Sequence, residues 1–194
     1  TLTKSQKIAG CALANIGAET LTLAVFDENK PQSVAVFPVG SSNITNDLAL
    51  GFKIALDEAE HLKMGGITTF SVPRKKLDDV IDARLEDMFD LIGAHLKKVG
   101  HAGLLPAGII ITGGGASING IEENAKSSLL LPAKVVALHA GDPTKSPFKN
   151  SSWSVAYGLC FWGLSTDDTG SLKISNLAKR IKGKALTFVK QFLP

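Results

Sequence analysis

The chain has 194 residues, of which 44% are hydrophobic and 20% are charged, a composition ordinary for a folded protein. No apolar run reaches the ~18 residues of a membrane-crossing helix, and the two cysteines and four histidines suggest neither a disulfide framework nor a metal site. The net charge of +3 is uneven, because six basic residues and no acidic one occur from Lys173 onward, against 15 basic and 18 acidic residues before it. This asymmetry predicts a tail with its own partner.

The N-terminal segment predicts a small β-sheet. Apolar residues dominate Ile8–Ala14, Thr20–Phe26 and Ser33–Phe37, and polar turns at Asn15–Glu19 and Asp27–Pro31 separate these runs. Because the connections are short, we expect three strands in an antiparallel meander.

Three helices are predicted next. Capping residues precede Ile44, and a second helical run, IALDEAEHLKM, stops at two glycines. The third helix is long, with Ser71 as its cap and Pro73 in its first turn. Its apolar stripe predicts a side that faces the core and consists of Leu77, Val80, Ile81, Leu85, Met88, Phe89, Ile92 and Leu96.

The second half of the chain alternates strand and helix. We expect a buried strand at Gly108–Thr112, a helix at Ile118–Leu130 and a strand at Lys134–Leu138. Residues 150–164 predict a last packed helix. One side of that helix carries Trp153, Ala156, Tyr157, Cys160 and Phe161. A meander followed by helices and a βαβ-like unit predicts an α/β fold.

Three glycines, Gly113, Gly114 and Gly115, lie where the predicted strand turns into a helix. A tight turn is one explanation, because glycine adopts positive φ without steric cost. A ligand site is the other, because glycine lets a ligand approach the backbone and a helix N-terminus offers free N–H groups to an anion. The glycines alone leave both explanations open.

Three segments occur in a characteristic order. NIGAETLT joins two predicted strands, AEHLK lies on a predicted helix, and TGGGASI joins a strand to a helix. This order resembles the actin-like nucleotide-binding superfamily, which has a phosphate-binding hairpin, a helix with Glu-x-x-Lys facing the ribose and adenine, and a Gly-Gly turn under the adenosine. Longer stretches, such as FPVGSSNITNDLALGFKIALDEAEHLK and LLPAGIIITGGG, resemble the bacterial cell-division family FtsA. The resemblance covers most of residues 6–164, and the pilus-assembly family PilM matches these stretches less well.

The resemblance implies an actin-like, ribonuclease-H-like lobe. Residues 6–43 and 101–164 would form subdomain 2A, and residues 44–100 the inserted helical subdomain 2B. A linker at 165–175 and an amphipathic helix at 176–193 would follow. Since the first lobe of the family has no counterpart here, we expect the C-terminal half of an FtsA-like protein.

The resemblance also implies a site for ATP and Mg²⁺. Gly17 and Thr20 fit the family's phosphate hairpin, and the three glycines would let the backbone lie against the nucleoside. Glu60 and Lys63 lie on one side of a helix and match the pair that faces the ribose and base. Without the resemblance, a solvated helix surface would be the better interpretation of that pair.

Two positions depart from the family pattern. Asn15 stands where the family has an aspartate that helps to hold Mg²⁺ through water. Glu19 stands where the family has a second glycine, and its carboxylate would repel a triphosphate. We therefore expect weak ATP binding and do not expect hydrolysis by this chain alone.

A third departure concerns subdomain 2B, the docking site for the C-terminal tail of FtsZ in the family. Only the short segment MGGITTFSVP joins its last two helices, where FtsA proteins usually carry a longer, strand-containing segment. This shortening argues against docking of the FtsZ tail.

The tail predicts a basic amphipathic helix when it is placed at 100° per residue. Leu177, Ile181, Phe188 and Phe192 lie on its apolar side, and Arg180 and Lys184 lie outside it. A helix of this kind after a polar linker is typical of a membrane-surface anchor, and FtsA proteins carry one in this position. The alternatives are a helix packed on its own domain and a solvated tail.

Three functions remain open. The first is an adaptor on the cytoplasmic face of the bacterial inner membrane, which binds division partners, self-associates into filaments and uses the tail as a tether. The second is an ATPase whose turnover drives assembly, and the third is a PilM-like scaffold of pilus assembly. Nucleic-acid binding is not expected, because the basic residues lie on an amphipathic helix without opposing aromatic stacking positions.

Overall fold

We describe the protein from a computed structural model, which describes residues 2–66, 72–136 and 151–166. The described residues up to Ser154 form one compact unit, which contains all the described strands and the helices of residues 41–98. Most of the last described helix belongs to a second unit and is considered by itself.

The first unit is built on a five-stranded sheet with strand order β3-β2-β1-β4-β5. The strands are β1 (Cys11–Ile16), β2 (Leu21–Asp27), β3 (Lys30–Phe37), β4 (Ile109–Thr112) and β5 (Ala133–Val135). β1, β2 and β3 form the predicted antiparallel meander, whereas β1 pairs with β4, and β4 with β5, in parallel. The carboxyl ends of β1 and β4 therefore lie at the same edge of the sheet, and the α/β fold class is confirmed.

The described part of the chain contains six α-helices. They are α1 (Lys4–Ala9), α2 (Ser41–Phe52), α3 (Leu56–Lys63), α4 (Arg74–Lys98), α5 (Ile121–Leu129) and α6 (Ser154–Thr166). Short 3₁₀ turns occupy Gly114–Ser117 and Ser151–Trp153. Within the described residues of 44–100 every regular element is a helix, and the division into subdomains 2A and 2B stays a prediction.

The predicted first strand was misplaced. Ile8 lies in α1, and β1 begins only at Cys11, because the backbone breaks at Gly10 with φ of +91°. α1 is stabilised by a capping box, in which Thr3 accepts from the Gln6 N–H and the Gln6 side chain accepts from the Thr3 N–H. The apolar run therefore divides between a short helix and a strand.

Other boundaries also differ from the sequence prediction. The glycines open a 3₁₀ turn, and α5 begins at Ile121 rather than Ile118. β5 ends at Val135, and the last residues of the predicted strand lie outside the described residues. The long helix begins at Arg74, after Pro73 at the capping position, while Ser71 lies outside the described residues. α6 confirms the last predicted helix, and its predicted packing stays a prediction.

The apolar stripe of α4 is confirmed as part of the core. Its buried members are Ile81, Leu85, Met88, Phe89, Ile92 and Leu96, and Leu77 and Val80 pack against them half-buried. Two polar contacts also hold α4 in place. Arg84 donates two hydrogen bonds to the carboxylate of Asp47 on α2, at 2.6 and 2.9 Å. Near the other end, His95 Nε2 lies 2.7 Å from the hydroxyl of Ser33 on β3.

Candidate nucleotide-binding site

The turn between β1 and β2, residues 17–20, forms one side of the candidate site. The Gly17 N–H donates to the carbonyl of Thr20 at 2.8 Å, which closes the turn. Residues 18–20 are exposed. The first turn of α2 is hydrogen-bonded to this β1–β2 turn. The N–H groups of Ser41 and Ser42 donate to the carbonyls of Gly17 and Ala18 at 2.9 and 2.8 Å. The β1–β2 turn is thus fixed to a helix.

The glycine turn, residues 113–115, lies against the end of β1. A Cβ atom on Gly113 would overlap the carbonyl oxygen of Ile16 and would lie 2.7 Å from Oδ1 of Asn15. Asn15 and Thr112 are register partners in the parallel pairing of β1 and β4. The two turns that the sequence separates by almost a hundred residues are therefore neighbours, as predicted.

Each glycine of the turn meets a different environment. Gly113 has φ of +96° and no room for a side chain. A Cβ atom on Gly115 would lie 2.5 Å from Cγ2 of Ile16. Gly114 is exposed, and the nearest atom to its Cβ position is Cβ of Ser152 at 3.9 Å. Packing within the chain explains why Gly113 and Gly115 are glycines. Of the three, only Gly114 has open space at its Cβ position, where a ligand could approach.

A serine segment that the sequence analysis missed supports the glycine turn. The buried hydroxyl of Ser151 donates to the carbonyl of Gly113 at 2.7 Å. The Ser154 hydroxyl donates to the Ser151 carbonyl at 2.6 Å and lies 2.6 Å from Thr112 Oγ1. Since a hydroxyl has one proton, Thr112 is the donor in its contact with Ser154. The contacts with Gly113 and Thr112 join residues 38 and 42 positions apart. The only sequence signal for this segment was the N-terminal capping pattern in SSWS.

The Glu60–Lys63 pair forms a second polar cluster, on α3. Lys63 Nζ lies 2.6 Å from Glu60 Oε2, as the i,i+3 spacing predicts. The side chain of Lys63 is 3% exposed, whereas that of Glu60 is 51% exposed. Of this pair, which the resemblance places toward the ribose and base, only Glu60 is exposed, because α2 covers Lys63 through Thr45 and Ser41.

Charge and hydrogen bonding set the ionisation of Glu60. Burial raises the pKa of Glu60, but hydrogen bonds from Lys63 and Thr45, together with the charge on Lys63, outweigh burial, and the net pKa is lowered. Glu60 is thus held as a carboxylate, which can accept hydrogen bonds from ligand hydroxyl groups.

The remaining predicted site residues fall into two groups. Asn15, Gly17, Glu19 and Thr20 lie at or beside the β1–β2 turn, and Glu19 and Thr20 are exposed there. The predicted membrane residues, Leu177, Arg180, Ile181, Lys184, Phe188 and Phe192, lie outside the described residues.

The described ranges contain neither a metal-binding cluster nor a membrane-crossing helix. No group of three or more His, Cys, Asp or Glu side chains is arranged to hold a metal ion within residues 2–66, 72–136 and 151–166. No helix in the same ranges has the length and apolarity needed to cross a membrane.

Comparison with solved structures shows that the chain has the fold of an actin-like lobe. MreB5 of Spiroplasma citri bound to ADP is similar over 84% of this chain and 56% of its own, with a TM-score of 0.68 and 17% identity. A chain of the PilM–PilN type IV pilus biogenesis complex is similar over 82% of this chain and 47% of its own, with a TM-score of 0.67 and 21% identity.

The sequence profile described as cell division protein FtsA matches residues 12–158, and the chain belongs to this family. The FtsA protein of Pseudomonas aeruginosa is 28% identical over 90% of this chain and 47% of its own length. The FtsA protein of Escherichia coli is 23% identical over 98% of this chain and 51% of its own length. The chain therefore spans about half the length of these relatives.

Proposed function

We propose that this chain is the nucleotide-facing and membrane-binding half of an actin-like cell-division adaptor. The adaptor would polymerise and link the FtsZ ring to the inner membrane, and it would bind ATP weakly. The observation that carries the proposal is the packing of the glycine turn on Asn15 and Ile16 at the end of β1, where the β1–β2 turn begins. This packing places two turns with exposed residues at one sheet edge, where an adenosine phosphate would bind.

The nucleoside part of ATP fits the residues present. Gly114 offers open, exposed backbone on which the adenosine could lie. Glu60 offers an ionised, half-exposed carboxylate to the ribose hydroxyl groups. Gly17 and Thr20 would face the phosphates, with the Thr20 hydroxyl as a donor. Lys63, by contrast, is buried by its own chain.

The triphosphate and Mg²⁺ fit less well. Mg²⁺ prefers oxygen ligands and is usually held near carboxylates, and Asn15 offers a neutral amide in place of a carboxylate. Glu19 is exposed on the turn that would face the phosphates, so its negative charge would repel them. Bound Mg²⁺ would neutralise part of the phosphate charge. We infer that this chain binds the nucleotide weakly and does not hydrolyse it alone.

Calorimetric titration tests the nucleotide assignment. We expect Mg-ATP to bind with a dissociation constant above ~1 μM, which corresponds to about 8 kcal/mol of binding. ADP should bind almost as well as ATP, because Asn15 and Glu19 offer little favourable interaction to the last phosphate of ATP. A dissociation constant well below ~1 μM, or no binding of any adenosine nucleotide, would contradict the proposal.

Membrane attachment would come from residues 176–193. Each cation near an anionic membrane contributes roughly 1 kcal/mol, and each buried large apolar side chain roughly 1.5–3 kcal/mol. The alignment with the E. coli relative covers 98% of this chain, so it extends into this segment. Co-sedimentation with anionic vesicles should pellet the intact chain but not a chain that ends at Ser171. Equal sedimentation would refute the anchor.

The partner assignments remain proposals as well. Filament formation would follow from the actin-like lobe, and pelleting of the full-length protein tests it. Docking of the FtsZ tail should be weak, because the link between α3 and α4 is short. Fluorescence anisotropy with a labelled FtsZ tail peptide should show weak binding, and no binding would remove the FtsZ link from the proposal.

The PilM-like alternative rests on fold similarity, which does not separate the two functions. The family profile over residues 12–158 favours FtsA. The vesicle experiment also separates the two alternatives, because only the adaptor needs the tail as an anchor.

A further inference from the structure

The ammonium group of Lys63 has all of its hydrogen bonds filled by its own chain. Its three donors face three acceptors: Glu60 Oε2 at 2.6 Å, Thr45 Oγ1 at 2.9 Å and the Ser41 carbonyl at 3.1 Å. Thr45 in turn donates to Glu60 Oε2 at 2.5 Å. With the Lys63 side chain 3% exposed, no donor is left for a ligand.

A buried ammonium group is costly unless it is fully paired. Lys63 is therefore paired within its own chain rather than with a ligand, and its contact with Ser41 indicates a structural role. The carbonyl of Ser41 accepts from Lys63, and its N–H donates to Gly17 in the β1–β2 turn at 2.9 Å. One residue thus connects the lysine to the turn that would face the phosphates.

The next residue strengthens the connection. The Ser42 N–H donates to the Ala18 carbonyl at 2.8 Å, and a side chain on Gly40 would overlap that carbonyl. The first turn of α2 therefore lies directly on the β1–β2 turn. Anything that moves this helical turn also moves the β1–β2 turn.

We propose that Lys63 is a positioning residue. It holds the α2 N-terminus on the β1–β2 turn and orients Glu60 toward the nucleotide. It thereby couples the part of the site that would face the phosphates to the part that would face the ribose. The orientation toward a nucleotide rests on the proposed function. The coupling between Lys63 and the β1–β2 turn does not, because it exists in the chain without a ligand.

Amide hydrogen exchange without nucleotide tests the coupling directly. In Lys63→Met, the Ser41 and Ser42 amides should exchange at least about tenfold faster, relative to the Ala12 and Ile109 amides of the sheet. Exposed Lys97 on α4 provides the matched control, and Lys97→Met should leave these amides unchanged.

A second pair of variants keeps the test valid if Lys63→Met does not fold. Thr45 is 6% exposed and cannot reach a ligand. Thr45→Val removes one acceptor of Lys63 and should speed exchange in the same way, whereas Thr45→Ser keeps the hydroxyl and should restore slow exchange. Unchanged relative exchange in Thr45→Val, or in a folded Lys63→Met, would overturn the proposal.

Nucleotide titration of the same variants separates the two proposals. If Lys63 acts by positioning, Thr45→Val should weaken ATP binding several-fold and Thr45→Ser should not. If wild-type protein binds no nucleotide while exchange responds as expected, the nucleotide assignment fails and the coupling stands. If ATP binding of Thr45→Val equals that of wild type, the positioning role is refuted.

Discussion

Gly113 and Ile16 lie so close together that a methyl group on Gly113 would overlap the carbonyl oxygen of Ile16. Gly113 also has φ of +96°, a conformation that side-chain-bearing residues rarely adopt. The contact joins the start of the glycine turn to the end of β1. Chain packing therefore places the glycine turn beside the β1–β2 turn without the help of a ligand.

The first prediction separates structural from ligand-facing glycines. Gly113→Ala should destabilise the fold by about 1–3 kcal/mol, because it adds strain and overlap. Gly114→Ala should change stability by less than about 0.5 kcal/mol, since its Cβ position is open, but it should weaken ATP binding. Urea unfolding and calorimetry measure the two effects. A large loss of stability in Gly114→Ala would show that the turn packs differently.

Glu19 carries the second prediction. Glu19→Gly should tighten ATP binding, because it removes both a negative charge and a side chain from the β1–β2 turn. Glu19→Gln separates these effects, since it removes the charge alone, and its gain should shrink as salt is added. Calorimetry at two salt concentrations measures both variants. If Glu19→Gly weakens binding, the carboxylate does not face the phosphates.

The strands of the meander could be predicted because turn residues separate alternating apolar runs, as in Leu21–Asp27. The start of β1 could not, because Gly10 interrupts an apolar run whose first part forms a helix. Thr3 and Gln6 form a capping box that marks the start of that helix in the sequence. This local signal was present in the sequence, but the continuous apolar run led to the prediction of a single strand.

The candidate site was predicted in part. The motifs identified the two turns, and the parallel pairing of β1 with β4 then placed them together. The separate role of each glycine depends on how Ile16 packs, and the burial of Lys63 depends on how α2 covers α3. The support from Ser151 joins residues 38 positions apart. Such non-local contacts leave no periodic signal in a single sequence.

The third prediction follows from the lowered pKa of Glu60. A carboxyl group with a lowered pKa stabilises the fold above its unfolded-state pKa of about 4.3, and this contribution is lost as the pH falls through the folded-state value. The stability difference between wild type and Glu60→Gln should therefore be largest near neutral pH and shrink below about pH 5. Urea unfolding from about pH 3 to pH 7 measures it, with Glu58→Gln as the control. A difference that does not change with pH would contradict the ion pair with Lys63.

The tail carries the fourth prediction. Phe188→Glu should abolish most binding to anionic vesicles, because it replaces a large apolar side chain with a charge. Lys179→Glu combined with Lys184→Glu should weaken binding and reduce its dependence on salt. Vesicle co-sedimentation across a salt series compares these variants with wild type. Equal binding by Phe188→Glu would show that the apolar side of the helix does not enter the membrane.

The central claim is that the β1–β2 turn and the glycine turn bind one nucleotide together. Its most direct test is the titration of isotope-labelled protein with Mg-ATP, followed by amide NMR. We expect the amides of Gly17 and Thr20 and those of Gly114 and Gly115 to shift along one binding curve, with a midpoint above ~1 μM. Shifts confined to one turn, shifts that fall only elsewhere in the chain, or no shifts at millimolar ATP would contradict the claim.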